Sequence, residues 1–204
     1  MAPDAISDLV AARSAQIIET RRFFHGIPEL GFEENETGKA IADRLTAAGL
    51  VVETGIGKTG LVAVLEGAKP GPRLMIRADI DGLPVDELTG LEFASTNGRM
   101  HACGHDGHIT MAVTAAEILS GMKDQLAGTL IFVFQPAEEV VMGALAMIDD
   151  GLFEKYPADR VIGTHLWNQI PTGMIGVNRS TVFASADQFR LTVHGKGGHG
   201  AMPH

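Results

Sequence analysis

A chain of 204 residues, 45% apolar and 20% charged, has the length of one large domain or of one domain plus part of another, and its composition excludes disordered, collagen-like and disulfide-scaffold proteins. Sixteen basic residues against 25 acidic ones leave a formal charge of -9 with no Lys/Arg run, which argues against nucleic acid or an anionic membrane as partner. Apolar stretches such as Leu130–Phe134 are far too short to span a bilayer, the start Met1-Ala-Pro-Asp-Ala lacks the basic and apolar regions of a signal peptide, and the lone Cys103 fits a reducing cytoplasm.

Along the chain, Ala5 to Phe24 carries Ile6, Leu9, Val10, Ile17 and Ile18 at helical spacing and predicts a surface-packed helix. Pro28 and two glycines turn His25–Gly31 into a loop, and a second helix is predicted over Glu34–Ala48, ended by Gly49. Val51–Thr54 and Leu61–Leu65 read as short strands around Gly55–Gly60. Those glycines resemble a phosphate loop only loosely, because no GKS/T ending or helix follows them. Three further β-rich runs end in polar residues: Arg73–Ala78 in Asp79-Ile-Asp81, Thr129–Phe134 in Gln135-Pro-Ala-Glu138-Glu139, and Arg160–Thr164 in His165-Leu-Trp167. Helices over Gly107–Gly121 and Glu139–Asp150 separate them. The alternation predicts an α/β fold, a mainly parallel sheet with helices on both faces. In such sheets ligands bind beyond the carboxyl ends of the strands, where all three runs place carboxylates or a histidine. After Pro171 the texture changes. Phe183–Val193 alternates as a strand with Gln188–Val193 its clearest part, and leads into His194-Gly-Lys-Gly-Gly-His199-Gly200 before the chain stops at His204. We therefore expect one domain over residues 1–180 and the incomplete beginning of a second over residues 181–204.

Met100–His108 gathers three histidines, a thiol and a carboxylate. In an extended stretch Cys103 and His105 share a side, and thiolate with imidazole suits zinc and related transition metals. The alternative is a glycine-rich loop in which Asp106 caps the following helix and the histidines are merely polar. A structural zinc finger is disfavoured by the single cysteine and the absence of a CxxC pair. Glu138 and Glu139 either begin a helix, where acids complement its dipole, or divide the work between metal ligation and proton transfer from water. Asp79 and Asp81 offer the same pattern, or a turn closed by side-chain hydrogen bonds. His165 is a core histidine or a ligand delivered by its strand.

HACGHDGH at 101–108, RADIDGLP at 77–84, QPAEE at 135–139, GTHLW at 163–167 and GKGGHGAMPH at 195–204 occur in the order seen in the M20 metallopeptidases. They most resemble the amidohydrolase branch of hippurate hydrolases, N-acyl-amino-acid amidohydrolases and auxin-conjugate hydrolases, and RRFFHGIPELGFEENET at 21–37 resembles its N-terminal signature. The resemblance implies Cys103, His105, Glu139 and His165 as metal ligands, Glu138 as general base and Asp81 as the acid behind the metal site. It implies that His199, on a smaller inserted dimerisation domain, reaches the substrate carbonyl, sometimes across a dimer. The implied activity is cleavage of a small-molecule N-acyl amino acid to a carboxylic acid and an amino acid, with one or two divalent ions of Zn, Mn, Co or Ni type, in a cytoplasmic homodimer. A dipeptidase or aminopeptidase of the same superfamily, or a non-catalytic remnant, are the alternatives. Two departures stand out. Val140-Val-Met142 replaces the glycine run that follows QPAEE in many relatives, giving that helix a bulkier, stiffer start. The family's last ligand histidine falls beyond His204, so the chain alone is expected to bind metal loosely and to show little activity.

Overall fold

The computed structural model describes residues 3–204 except Ser180, Phe183, Ala186, Gln188 and Pro203. The helices of its larger compact unit, which runs through Leu166, are α1 (Pro3–Ala11), α2 (Ser14–His25), α3 (Asn35–Ala47), α4 (His105–Ser120), α5 (Gly143–Asp149) and α6 (Leu152–Lys155). Its strands are β1 (Val51–Ile56), β2 (Gly60–Glu66), β3 (Lys69–Asp79), β4 (Ala127–Gln135) and β5 (Arg160–Gly163), in the sheet order β1-β2-β4-β3-β5. Among the described residues no helix is long and apolar enough to cross a membrane.

The central strand β4 shows why this is an α/β layer structure. Phe132 and Phe134 pack on one face with Phe24, Ile41, Leu45, Ile109 and Val113, which come from α2, α3 and α4. Ile131 and Val133 pack on the other with Met147 and Leu152, from α5 and α6. A strand buried on both faces reads as a continuous apolar run, as 130–134 does.

The sheet is mixed. β3 pairs parallel with β4 and β5, as the alternation of strands and helices predicts, whereas β1–β2 and β2–β4 are antiparallel. For β1–β2 the reason lies in the Gly55–Gly60 loop. Too short for a crossover, it closes a hairpin, and two strands so joined run antiparallel. Gly55 sits at φ 83 where the β1–β2 register slips, the signature of a bulge, and the Gly57 N–H donates to the Asp150 carboxylate at 2.7 Å. No phosphate cradle forms there.

Two helices differ from expectation. The first segment breaks between α1 and α2 at Arg13, whose N–H donates to Val10 O rather than one residue further back. The helix predicted from Glu139 starts only at Gly143, because Ala137–Met142 form a turn in which the Ala137 carbonyl accepts from both Met142 N and Gly143 N.

The second unit is Trp167–His204. Phe183 and Gln188 of the expected strand lie outside the described residues. Phe189–Val193 form no strand, and Phe189, Leu191 and Val193 are exposed.

Candidate metal centre

Three parallel strands end side by side, and their polar residues meet there. β3 leads into Asp79 and Asp81, β4 into Glu138 and Glu139, and β5 into His165; helix α4 brings His105 as its first residue. Cys103 precedes it across Gly104, which adopts φ 85, so the segment is not extended as the sequence suggested. The left-handed glycine turns the chain into the helix and still leaves both side chains at one site.

His105 is the hub. Its Nδ1 lies 3.0 Å from the Asp81 carbonyl and 3.2 Å from Asp81 Oδ1. A carbonyl only accepts, so Nδ1 carries the proton and Nε2 faces the site. Around Nε2 stand Asp79 Oδ2 at 3.6 Å, Glu138 Oε2 at 3.7 Å and Glu139 Oε1 at 3.8 Å. These separations are too long for hydrogen bonds, and His105 Nε2 and Glu139 Oε1 are buried with no hydrogen-bond partner. Buried polar atoms left unmatched and gathered around one point are what ion ligation would satisfy.

Cys103 Sγ approaches His165 Nε2 at 3.5 Å, while His165 Nδ1 donates to the Leu166 carbonyl at 2.6 Å. Each of the two histidines thus ties its Nδ1–H to a backbone carbonyl and turns Nε2 inward, the arrangement that fixes a ligand tautomer. Ligand atoms of Cys103, His105 and His165, and separately those of His105, Glu138 and Glu139, lie within 4.8 Å of one another. His105 belongs to both groups, so a pair of ions sharing this pocket fits the donor set.

The electrostatics are strongly anionic. Burial, then the charges of Glu139 and Glu138, push the Cys103 thiol up to about 12. Burial also raises Glu139, helped by Glu138 and Asp81 against the lowering effect of His105. For His105 burial acts downward, but hydrogen bonding to Asp81 and the charges of Asp79, Asp81 and Glu139 raise it. Such a thiol ionises near neutral pH only beside a cation.

Asp81 serves one side chain and one backbone, its Oδ1 accepting from His105 Nδ1 and its Oδ2 accepting the Glu139 N–H at 2.9 Å. The adjacent acids are therefore not helix-start residues, since α5 begins at Gly143. Nor does Asp106 cap α4: the N-cap is Gly104 without a side-chain bond, and Asp106 Oδ2 instead meets Arg21 and His25. His199 belongs to the second unit, where its Nδ1 accepts the Ala201 N–H at 3.3 Å.

From the pattern of residues alone His108 has no role of its own and Asp79 stays undecided. The Leu166 N–H donates to His108 Nε2 at 2.8 Å, so His108 Nδ1–H donates to Asp79 Oδ1 at 2.5 Å. Arg77 grips the other oxygen at 2.7 Å; burial pushes Asp79 up, but the bond from His108 and the charges of His105 and Arg77 prevail and hold it at about 2. With both nitrogens engaged, His108 is a buttress. Its signal was the spacing, since three residues after His105 on a helix is the same face.

The sequence pattern of peptidase family M20/M25/M40 matches residues 75–198, the stretch that holds Asp79, Asp81, Cys103, His105, Glu138, Glu139 and His165 but not His199. The chain belongs to that family. It is similar to an N-acyl-L-amino acid amidohydrolase of Geobacillus stearothermophilus, 42% identical over all of this chain and 55% of the relative. An N-acetyldiaminopimelate deacetylase of Streptococcus sanguinis is 43% identical over 92% of this chain and 50% of its own length. Among solved structures, the Bacillus subtilis protein YXEP, described as a dinuclear metal-binding peptidase of the M20 family, superposes with a TM-score of 0.77 at 39% identity over 82% of this chain and 47% of that one. The chain thus spans about half the length of the curated relatives it matches.

Proposed function

We propose that this chain carries the metal-ligating half of a hydrolase for amides whose nitrogen belongs to an amino acid, N-acyl amino acids being the substrate class. The observation that carries the reading is the pair of buried, unpartnered atoms, His105 Nε2 and Glu139 Oε1, facing each other at 3.8 Å beside a thiol and further carboxylates. The relatives' names share that amide chemistry: an N-acyl-L-amino acid amidohydrolase, an N-acetyldiaminopimelate deacetylase and a thermostable carboxypeptidase of Saccharolobus solfataricus.

Cys103, His105, Glu139 and His165 would hold one or two divalent ions of Zn, Mn, Co or Ni type. Such an ion polarises an acyl carbonyl and makes water a competent nucleophile near neutral pH. Glu138 is the more exposed of the two adjacent acids, with 40% of its side chain accessible against 20% for Glu139. We assign it the proton transfer, from the attacking water to the departing amine. Asp81 orients His105 and anchors the backbone of Glu139. His199 would stabilise the developing oxyanion from the smaller domain that begins at residue 181, in a cytoplasmic homodimer.

The test is to purify the chain, load it with Mn or Zn, and follow amine release from hippurate, N-acetyl and indole-acyl amino acids. Metal uptake lost in the Cys103→Ser and His105→Ala variants supports the ligand assignment, and uptake unaffected by both removes it. Release that disappears with chelator and returns with metal supports the reaction, names the acyl group and overturns the expectation that this half of the fold alone is nearly inactive.

A further inference from the structure

Glu34 stands at the start of α3 with no exposed surface, in the motif at 21–37 to which no role has been given. Among the described residues no basic side chain pairs with it. Its carboxylate is met by neutral donors: the Thr59 hydroxyl at 2.5 Å on Oε2 and the Ala137 N–H at 2.7 Å on Oε1. Burying a carboxylate among N–H and O–H groups is costly, and the cost shows in its pKa, which burial raises above the ordinary range.

The partner explains the placement. Ala137 has φ 49 and Val141 φ 59, the left-handed region that residues with a Cβ disfavour, and a β-branched residue most of all. Ala137 is followed at once by Glu138 and Glu139. The turn they occupy hangs between two carboxylates, Glu34 on the Ala137 N–H and Asp81 on the Glu139 N–H. Gly31, three residues before Glu34, lets the two segments touch: a Cβ there would lie 3.0 Å from Ala137 Cα.

We propose that Glu34 is a positioning residue, which through its bond to Ala137 N holds the left-handed turn that presents Glu138 and Glu139 to His105. The proposal rests on the metal-hydrolase reading of the site. The carboxylate matches the backbone donor of Ala137 while the turn is strained, so the two adjacent acids reach the pocket from a rigid base rather than from a mobile loop.

Cobalt(II) titration of the full chain tests this, read by the thiolate-to-metal absorption of Cys103 and by backbone amide exchange in the metal-free protein. Glu34→Ala is expected to weaken Co(II) binding about tenfold, the lower end of the range for a ligand's own hydrogen-bond partner because Glu34 acts through the turn at Ala137, and to speed exchange of the Ala137 amide. Glu34→Gln keeps an acceptor for Ala137 N and a donor for the Thr59 oxygen, and restores wild-type affinity. Adding Ala137→Gly to Glu34→Ala relieves the left-handed strain and recovers about fivefold of the lost affinity. A merely structural Glu34 would lower thermal stability yet leave the cobalt affinity and spectrum unchanged, and that result in a folded Glu34→Ala protein overturns the proposal. Should that variant not fold, Glu34→Asp, which withdraws the carboxylate by one methylene, carries the same expectation and the same refutation. A wild-type chain without the thiolate absorption sinks the metal reading instead. Exchange of the Ala137 amide then decides for Glu34, and unchanged protection in Glu34→Ala or Glu34→Asp overturns the proposal.

Discussion

Two neighbouring residues at the start of α4 point into two different polar clusters. His105 faces Asp79, Asp81, Glu138 and Glu139, four acids against His105 itself, Arg77 and His108, and both of the latter spend their contacts on Asp79. Asp106 faces Arg21 and His25, and His25 bridges on to Glu87 at 3.0 Å, so two acids meet two bases. The second cluster supplies its own counter-charges. The first asks for a cation from outside, and this difference, more than any count of ligands, separates a metal centre from a structural ion-pair network.

The largest effect that would break this comparison is catalytic. If the proposed reaction holds, Glu138→Gln in the metal-loaded protein should cut amide hydrolysis by about 10²–10⁴-fold, the usual contribution of a positioned proton acceptor, while metal uptake stays unchanged. Parallel loss of metal and rate would make Glu138 a ligand instead. Retained rate would remove it as the base.

Cys103 gives the next largest effect. Its metal-free thiol is pushed to about 12 by burial and by Glu139 and Glu138. Well below that value, alkylation of the metal-free chain should rise about tenfold per pH unit, in step with the thiolate fraction. In the loaded protein the sulfur is already a thiolate bound to an ion, so alkylation should be slow and nearly independent of pH. Equal rates and equal slopes in the two forms would remove Cys103 from the ligand set.

How much of this was legible beforehand follows from what each residue depends on. The ends of β3, β4 and β5 were readable because each apolar run stops abruptly at an acid or a histidine, and burial forces such runs into the sheet. That sufficed to bring Asp81, Glu138, Glu139 and His165 to one edge. The hairpin at Gly57 was not anticipated as the cause of a mixed sheet, because strand direction depends on loop length and partner rather than on the strands' own composition. The turn at Ala137–Met142 was hidden for a stronger reason. Val140-Val-Met142 has no turn-forming residue, and Val141 takes a positive φ against its own preference. The bulky residues were read as a stiff helix start, whereas Gly143, whose Cβ would meet the Pro136 carbonyl oxygen at 1.6 Å, marks where the helix is able to begin. Only the buried acceptors on either side of that turn account for it, and they lie more than 50 residues away in sequence. The capping role that the sequence left open for Asp106 fails for the same reason, since its partners Arg21 and His25 come from another helix.

In the second cluster the expected effect is on stability. His25 lies between Asp106 and Glu87, and only a doubly protonated ring donates to both. Burial acts to lower its pKa, but the bonds to Glu87 and Asp106 prevail and raise it above 6.5. The native state therefore holds its proton at pH values where the unfolded chain has lost it. The stability from this bridge is complete below pH 6.5 and declines as pH rises through the native value. Urea denaturation of wild type and His25→Gln should differ by about 2 kcal/mol at the acid end, the scale of hydrogen bonds to charged groups, and converge as the pH rises. A difference that grows with pH would mean that the ring is held neutral.

The smallest effect is the most pointed. Arg21 reaches Asp106 at 3.2 Å with 54% of its side chain exposed, whereas Asp106 is 1% exposed. Water already screens the guanidinium, and Asp106 keeps His25 when Arg21 is removed. Arg21→Gln should thus cost no more than about 1 kcal/mol in urea denaturation, as for other solvent-screened ion pairs. The cluster's remaining base still balances the acid nearest to it, so the backbone of α4 has no cause to move, and His105, one residue before Asp106, should bind cobalt with unchanged affinity. A loss of several kcal/mol would show that Asp106 relies on Arg21 rather than on His25. A change in cobalt affinity would show that the two clusters act through α4 as one unit, and the distinction between an imported cation and a built-in one would fail at the residue where it is sharpest.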